Sequence, residues 1–129
     1  MKNIIFLVNI KNPSKPERSA GYDIRMECLK RWADKNDCEV FVLTEPLVDL
    51  SQMSPIIMRH YIFDLLDGSN IEYDQICMVD ADTIVHPNCP NFFKLTDYKF
   101  SAVHNDGDYD WVIRSIENYE YELNGNVDV

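Results

Sequence analysis

The sequence predicts an α/β domain with a mostly parallel sheet and flanking helices. Three observations carry that reading. Short runs rich in β-branched and apolar residues recur at Ile4 to Ile10, Val40 to Leu43 and Ile76 to Val79, too short for helices and suited to strands. Between them, apolar residues repeat at helical spacing. The third run ends in Asp80-Ala81-Asp82, which puts two carboxylates where an apolar strand comes to the surface. Strands alternating with helices imply parallel pairing with right-handed crossovers.

The elements follow in order. Lys2 to Ile10 reads as a central strand, and its apolar part is too short, and lacks a small-residue cleavage site, for a signal peptide. Asn12, Pro13, Ser14, Pro16 and Ser19 mark Lys11 to Ala20 as a loop. From Gly21 to Asn36, the spacing of Tyr22, Met26, Leu29, Trp32 and Ala33 predicts a helix. Glu39 to Thr44 is a second strand, stopped by Pro46. After an irregular stretch from Val48 to Met53, Ser54 as N-cap and Pro55 at the first position open a second helix. Its apolar residues are Ile57, Tyr61, Phe63, Leu65 and Leu66, and Asp67-Gly68-Ser69-Asn70 ends it.

Ile76 to Val79 is then expected to be a strand buried on both faces. Pro87 and Pro90 interrupt the chain before a helical turn at Asn91 to Leu95, with Phe92 and Phe93 packed inward. Tyr98 to His104 alternates as a fourth strand, and Asn105 to Asp108 is a turn. Val112, Ile116, Tyr119 and Leu123 define an amphipathic helix from Asp110, with Gly125 as its end. The expected organisation is one domain over residues 1–129.

Composition narrows the function. A formal net charge of −10 argues against nucleic acid as partner, since phosphate binding needs clustered Lys and Arg, and against an anionic membrane surface. No run is long enough to span a bilayer. Cys28, Cys38, Cys77 and Cys89 form no C-x-x-C and have no histidine at zinc-finger spacing. Reduced structural thiols in the cytoplasm are the expectation.

Asp80 and Asp82 are the leading site candidates. In an extended segment, residues two apart point the same way, so either both carboxylates face one cation or one binds it directly and the other through water. Hard oxygen ligands suit Mg²⁺ or Mn²⁺, which usually take one or two protein carboxylates together with substrate phosphates. Ligands in open α/β sheets gather beyond the carboxyl ends of the strands. That edge also holds Asn9, Ile10 and Lys11. Arg59 is placed to clamp a phosphate, its fork matching phosphate oxygens, or to pair with Asp64 or Glu72 on the surface. His86, near the acidic turn, and His104, at the end of the fourth strand, leave two readings open, an approach to the metal or a structural role; the structural role is the ordinary expectation, for His60 as well. Asp106, Asp108 and Asp110 suit a turn and a helix start. There is no Gly-rich phosphate loop, nucleophile elbow or zinc-protease motif.

The stretch Tyr73 to Val85, with Asp80-Ala81-Asp82-Thr83 after an apolar strand, resembles the D-x-D segment of glycosyltransferases with the GT-A fold. It is most similar to the glycogenin-like group. The likeness runs on through His86-Pro87-Asn88 to Phe92-Phe93 and back to the helix Pro55 to Leu66. It implies a Rossmann-like sheet in a minimal or truncated form of that fold, covering its donor-binding half. It further implies a hexosyl transfer of the retaining type from a nucleotide-sugar donor, usually a UDP-sugar, to an unknown acceptor, with Mn²⁺ or Mg²⁺ bridging Asp80, Asp82 and the diphosphate. Ala81 belongs to that donor motif. Arg59 stands where the group has a Lys that contacts the donor. The first strand resembles the one whose end, here Asn9, Ile10 and Lys11, cradles the nucleotide. A chain without the acceptor half would bind or hydrolyse donor only, and a homo-oligomer is one way to complete it.

Two other readings use the same residues. Asp80-Ala81-Asp82-Thr83-Ile84 also fits the D-x-D-x-T motif of haloacid-dehalogenase-like phosphatases, with Asp80 as nucleophile and Asp82 as general acid/base. That motif normally sits on the first strand of its domain, whereas two strands precede it here. The other is a nucleotide-sugar-binding module without catalysis.

Overall fold

The computed structural model describes residues 2–14, 16–103 and 108–124. They divide into two compact units, Met1–Lys99 and Phe100–Val129. The first runs β1 (Asn3–Val8), a 3-10 turn (Pro16–Ser19), α1 (Tyr22–Lys35), β2 (Cys38–Leu43), α2 (Pro55–Met58), a 3-10 turn (Arg59–Tyr61), α3 (Ile62–Gly68), β3 (Gln75–Met78) and α4 (Phe92–Thr96). The second contains α5 (Tyr109–Asn124).

The sheet of the first unit has the order β2-β1-β3, and both pairings are parallel. Ile5 lies between Val40 and Cys77 in register, and Phe6 between Phe41 and Met78. β1 is central because its side chains are apolar on both faces, and alternation sends them to two cores. Ile4 and Phe6 pack with Met58, Ile62 and Leu66 from the α2–α3 segment. Ile5 and Leu7 pack with Leu29, Trp32 and Ala33 of α1 and with Phe93 of α4. Helices therefore cover opposite faces in a Rossmann-like arrangement, and each fully buried side chain stabilises it by about 1.5–3 kcal/mol.

Local chemistry sets the element ends. Gly21 enters α1 at φ 79°, where a side chain is strained. Asn36 closes α1, its side-chain amide donating to the Trp32 carbonyl at 2.8 Å. Ser54 caps α2, its Oγ accepting the Ile56 N–H at 3.4 Å. Asn91 caps α4, accepting from Phe93 and Lys94 at 3.0 and 3.3 Å. In the second unit, Asp108 accepts the Trp111 N–H at 2.8 Å at the start of α5. Val112 and Ile116 are exposed. Residues 104–107, which hold His104 and all but the last residue of the expected turn from Asn105 to Asp108, lie outside the described residues, as do the side chains of Tyr119 and Leu123 and the end at Gly125.

Three expectations change. The second helix is broken by the 3-10 turn at Arg59–Tyr61. Its buried stripe is Met58, Ile62 and Leu66, at i, i+4 and i+8, while Tyr61 and Phe63 are exposed. The apolar periodicity was ambiguous because exposed aromatics sit beside the true stripe. β3 is half-buried rather than buried on both faces, because it is an edge strand of the described sheet. Residues 98–103 form no strand. Asp97 and Tyr98 both take positive φ, 47° and 61°, which breaks an extended path. The Tyr98 N–H is met by the Gln75 side-chain oxygen at 3.0 Å instead of by a ladder.

The four cysteines are free thiols. Burial in the sheet, then Cys38, pushes the Cys77 thiol up to about 11. The raised pKa favours the protonated thiol in the folded state, so this contribution to stability is present below the unfolded thiol's pKa and is lost as pH rises towards 11. Alkylation of Cys77 by iodoacetamide in the folded protein is expected to be at least about tenfold slower at pH 8 than that of the unfolded chain. Mass-spectrometric peptide mapping over pH 7–11 measures it, and equal rates at pH 8 contradict the expectation.

Candidate functional site

The chain leaves β1 for β2 on one side and then crosses from β2 back past β1 to β3 on the other. The gap between the carboxyl ends of β1 and β3 is thus a topological switch point, where open α/β sheets bind ligands. A cavity of about 300 Å³ lies there. The end of β1 contributes Phe6, Leu7 and Val8 with Ile10 just beyond, and the α2 start contributes Ser54, Pro55 and Ile56. Arg59 and the stretch Met78 to Asp82 line it as well, as do Asn12, Ser19 and Tyr22 from the segment after β1.

The acidic turn is fixed by the backbone. Beyond β3, the Val79 N–H still bonds the Phe6 carbonyl at 2.9 Å. Asp80 follows that last sheet bond, and the Thr83 N–H closes onto the Asp80 carbonyl at 3.0 Å. Residues 80–83 are therefore a turn rather than an extended segment, so simple alternation does not govern how Asp80 and Asp82 are disposed. Both still line the one cavity, with Ala81 between them.

Arg59 lies against the acidic turn. Its Nη1 lies 2.8 Å from Asp80 Oδ1, and its Nε donates to the Ile56 carbonyl at 3.0 Å. The Arg59 side chain is 29% exposed and that of Asp80 57%. The partner is thus Asp80, not Asp64 or Glu72. A pair this open contributes at most about 1 kcal/mol to stability. Its consequence is local: one of the two carboxylates is already neutralised by the protein.

The first loop divides. Ile10 is buried and lines the cavity. Asn9 is not in the lining; its N–H donates to the Leu43 carbonyl at 2.9 Å, and its buried Oδ1 has no hydrogen-bond partner among the described residues. Lys11 is drawn away to Asp23, 3.3 Å from its carboxylate. His86 Nδ1 accepts the Asn88 N–H at 3.1 Å, a local turn contact. Tyr22, read from sequence as part of the α1 core face, lines the cavity instead, and Asn12, Ser19 and Ser54 line it too. Their signal was positional: each follows β1 or opens the helix after β2, the two places a switch point draws on.

The donor set suits a particular kind of cation. Among the described residues no three His, Cys, Asp or Glu side chains come together as a metal group. Two carboxylates in one cavity fit an ion that keeps water and takes its remaining ligands from phosphate oxygens, rather than an all-protein cage. Hard oxygen donors select Mg²⁺ or Mn²⁺ over softer metals.

No protein-family model matches the chain, and comparisons with curated proteins and with solved structures give no match.

Proposed function

We propose that the chain is the donor-binding domain of a metal-dependent glycosyltransferase of the GT-A type, taking a nucleotide sugar, with a UDP-sugar favoured, and transferring its hexose to an acceptor. The observation that carries the reading is the cavity at the β1–β3 switch point, where Asp80, Asp82 and Arg59 meet although more than twenty residues separate Arg59 from the acidic turn. A cavity with a guanidinium and two carboxylates matches a ligand that is itself anionic and arrives with a cation. In a chain of net charge −10, such a ligand needs that cation to offset the repulsion.

On this reading Asp80 and Asp82 hold Mn²⁺ or Mg²⁺, which supplies charge neutralisation at the diphosphate leaving group. Arg59 contacts a phosphate, for which its planar fork is suited. Ile10 and the Tyr22 ring flank the nucleoside, and Ser54, Asn12 and Ser19 offer hydrogen bonds to ribose or base. The apolar strand ends, Phe6 to Val8, keep water from that end of the cavity. Free thiols support a reducing, cytoplasmic setting, and no helix among the described residues is long and apolar enough to cross a membrane.

Calorimetry with UDP, UDP-sugars and GDP-sugars, with and without Mn²⁺, tests the proposal. Binding is expected to require Mn²⁺, to prefer the uridine series, and to weaken about tenfold or more, or about 1.4 kcal/mol, in Asp80→Ala and in Asp82→Ala. Affinity unchanged in both variants refutes the role of the two carboxylates. Release of phosphate from p-nitrophenyl phosphate with a phosphoryl group trapped on Asp80 would replace the transferase reading by a phosphatase.

A further inference from the structure

Arg59 and a divalent cation claim the same carboxylate. The guanidinium is held from two sides, by the Ile56 carbonyl at 3.0 Å and by Asp80 Oδ1 at 2.8 Å. Its side chain is mostly buried while that of Asp80 is more than half exposed. The arginine is therefore the fixed member of the pair, and Asp80 meets solvent and any incoming ion while already bonded. Two positive charges at one carboxylate repel. For a divalent ion about 5 Å from the guanidinium, the repulsion even at the dielectric constant of water is worth about tenfold in affinity.

We propose that Arg59 is a resident counter-ion of Asp80 that suppresses binding of a lone divalent cation, and that a ligand diphosphate lifts this suppression by taking over the guanidinium. The inference rests on the nucleotide-sugar reading for the identity of the ligand, but the competition at Asp80 rests on the ion pair alone. A phosphate accepting the Arg59 fork replaces the bond to Asp80 with a charge-assisted one of equal kind. Asp80 then joins Asp82 in facing the cation, and the cation offsets the negative charge of the diphosphate. Each ligand thereby raises the affinity of the other by the same factor, as linkage requires. The site thereby favours the metal–nucleotide pair over Mg²⁺ or Mn²⁺ alone. Lys11 is not among the cavity's lining residues, and its ammonium lies against Asp23 at 3.3 Å.

The test measures Mn²⁺ binding by the electron paramagnetic resonance of free Mn²⁺, with and without UDP, in the wild type, Arg59→Gln and Arg59→Lys. Arg59→Gln is expected to bind Mn²⁺ alone about tenfold more tightly than the wild type, whereas Arg59→Lys, which keeps the charge, stays close to wild type. In the wild type, saturating UDP is expected to raise Mn²⁺ affinity about tenfold or more, and that factor shrinks in Arg59→Gln. Failure of Arg59→Gln to bind Mn²⁺ more tightly than the wild type, including no uptake by either, overturns the proposal. If Arg59→Gln gains Mn²⁺ affinity but UDP binds no form, the nucleotide reading falls while the competition at Asp80 stands. The wild type supplies a check that needs no variant. Titration with Mg²⁺ and UDP together is expected to shift the Arg59 Nε–H resonance in the nitrogen-15 spectrum, and Mg²⁺ alone to shift it far less. A resonance unmoved by the pair overturns the exchange.

Discussion

Phe6→Ala lowers the unfolding free energy by about 3–5 kcal/mol, the range for removing a large aromatic side chain from a packed core. Phe6 is fully buried on the central strand, between Ile4 and the α2–α3 stripe of Met58, Ile62 and Leu66. Its ring stacks on Phe41 with centroids 5.8 Å apart. Little in such a place is free to collapse into the void, since β1 is bonded on both sides and helices cover both faces. Phe6 also lines the cavity, so the variant widens the site from below. Urea unfolding followed by circular dichroism measures the loss, with an unchanged m value. Phe100→Ala is the control: that ring is 97% exposed, and its removal is expected to change stability by no more than about 0.5 kcal/mol. A loss below about 1 kcal/mol for Phe6→Ala would show that β1 is not the centre of the core.

Trp32→Ala is expected to cost a similar amount, about 3–5 kcal/mol, for a different reason. Trp32 ties the chain beyond the acidic turn to α1. Its Nε1 donates to the Cys89 carbonyl at 2.8 Å, and its ring stacks on Phe92 with centroids 4.4 Å apart and planes 7° from parallel. Lys35 reaches the Pro87 carbonyl from the same helix at 3.4 Å. Trp32→Phe keeps a ring for Phe92 but removes the hydrogen bond, at a cost of about 1–3 kcal/mol for the unpaired carbonyl, together with part of the buried indole. Trp32 does not line the cavity. Asp82, however, stands at the start of the segment that Trp32 anchors. Both variants are therefore expected to weaken Mn²⁺-dependent UDP binding, Trp32→Ala more than Trp32→Phe. Paired melts and calorimetry check this, and full ligand affinity in a destabilised Trp32→Ala would show that the acidic turn is held by β3 alone.

The frame of the first unit was legible because it depends on strong local signals. Each of the runs Ile4 to Ile10, Val40 to Leu43 and Ile76 to Val79 contains its strand or most of it. Ser54-Pro55 opens a helix as its capping chemistry requires, and Asn91 caps the helical turn that holds Phe92 and Phe93. Where apolar and aromatic residues crowd together, periodicity misled: Tyr61 and Phe63 compete with Met58 and Ile62 for the same helix face, and only burial tells them apart. The alternation of residues 98–103 resembles a strand, but alternation cannot register the positive φ of Asp97 and Tyr98. The candidate site was legible at Asp80 and Asp82, because carboxylates at the end of an apolar strand are conspicuous. Tyr22 and Ser19 were not, because an aromatic at helical spacing and a serine in a loop have ordinary explanations.

The sequence by itself determined where the three strands of the first unit lie and where its helices begin, that β1 is apolar on both faces, and that two carboxylates follow β3. Those are properties of neighbours along the chain, set by hydrophobic patterning and by capping. Only the tertiary structure decided that β1 separates β2 from β3, that Arg59 pairs with Asp80, and that Lys11 turns to Asp23 instead. The reason is electrostatic and geometric. Asp, Glu, Lys and Arg pair with whatever opposite charge the fold brings within reach, and in an acidic chain each cation has several candidates. Strand order settles the choice, since it brings the end of β3 beside the 3-10 turn that carries Arg59.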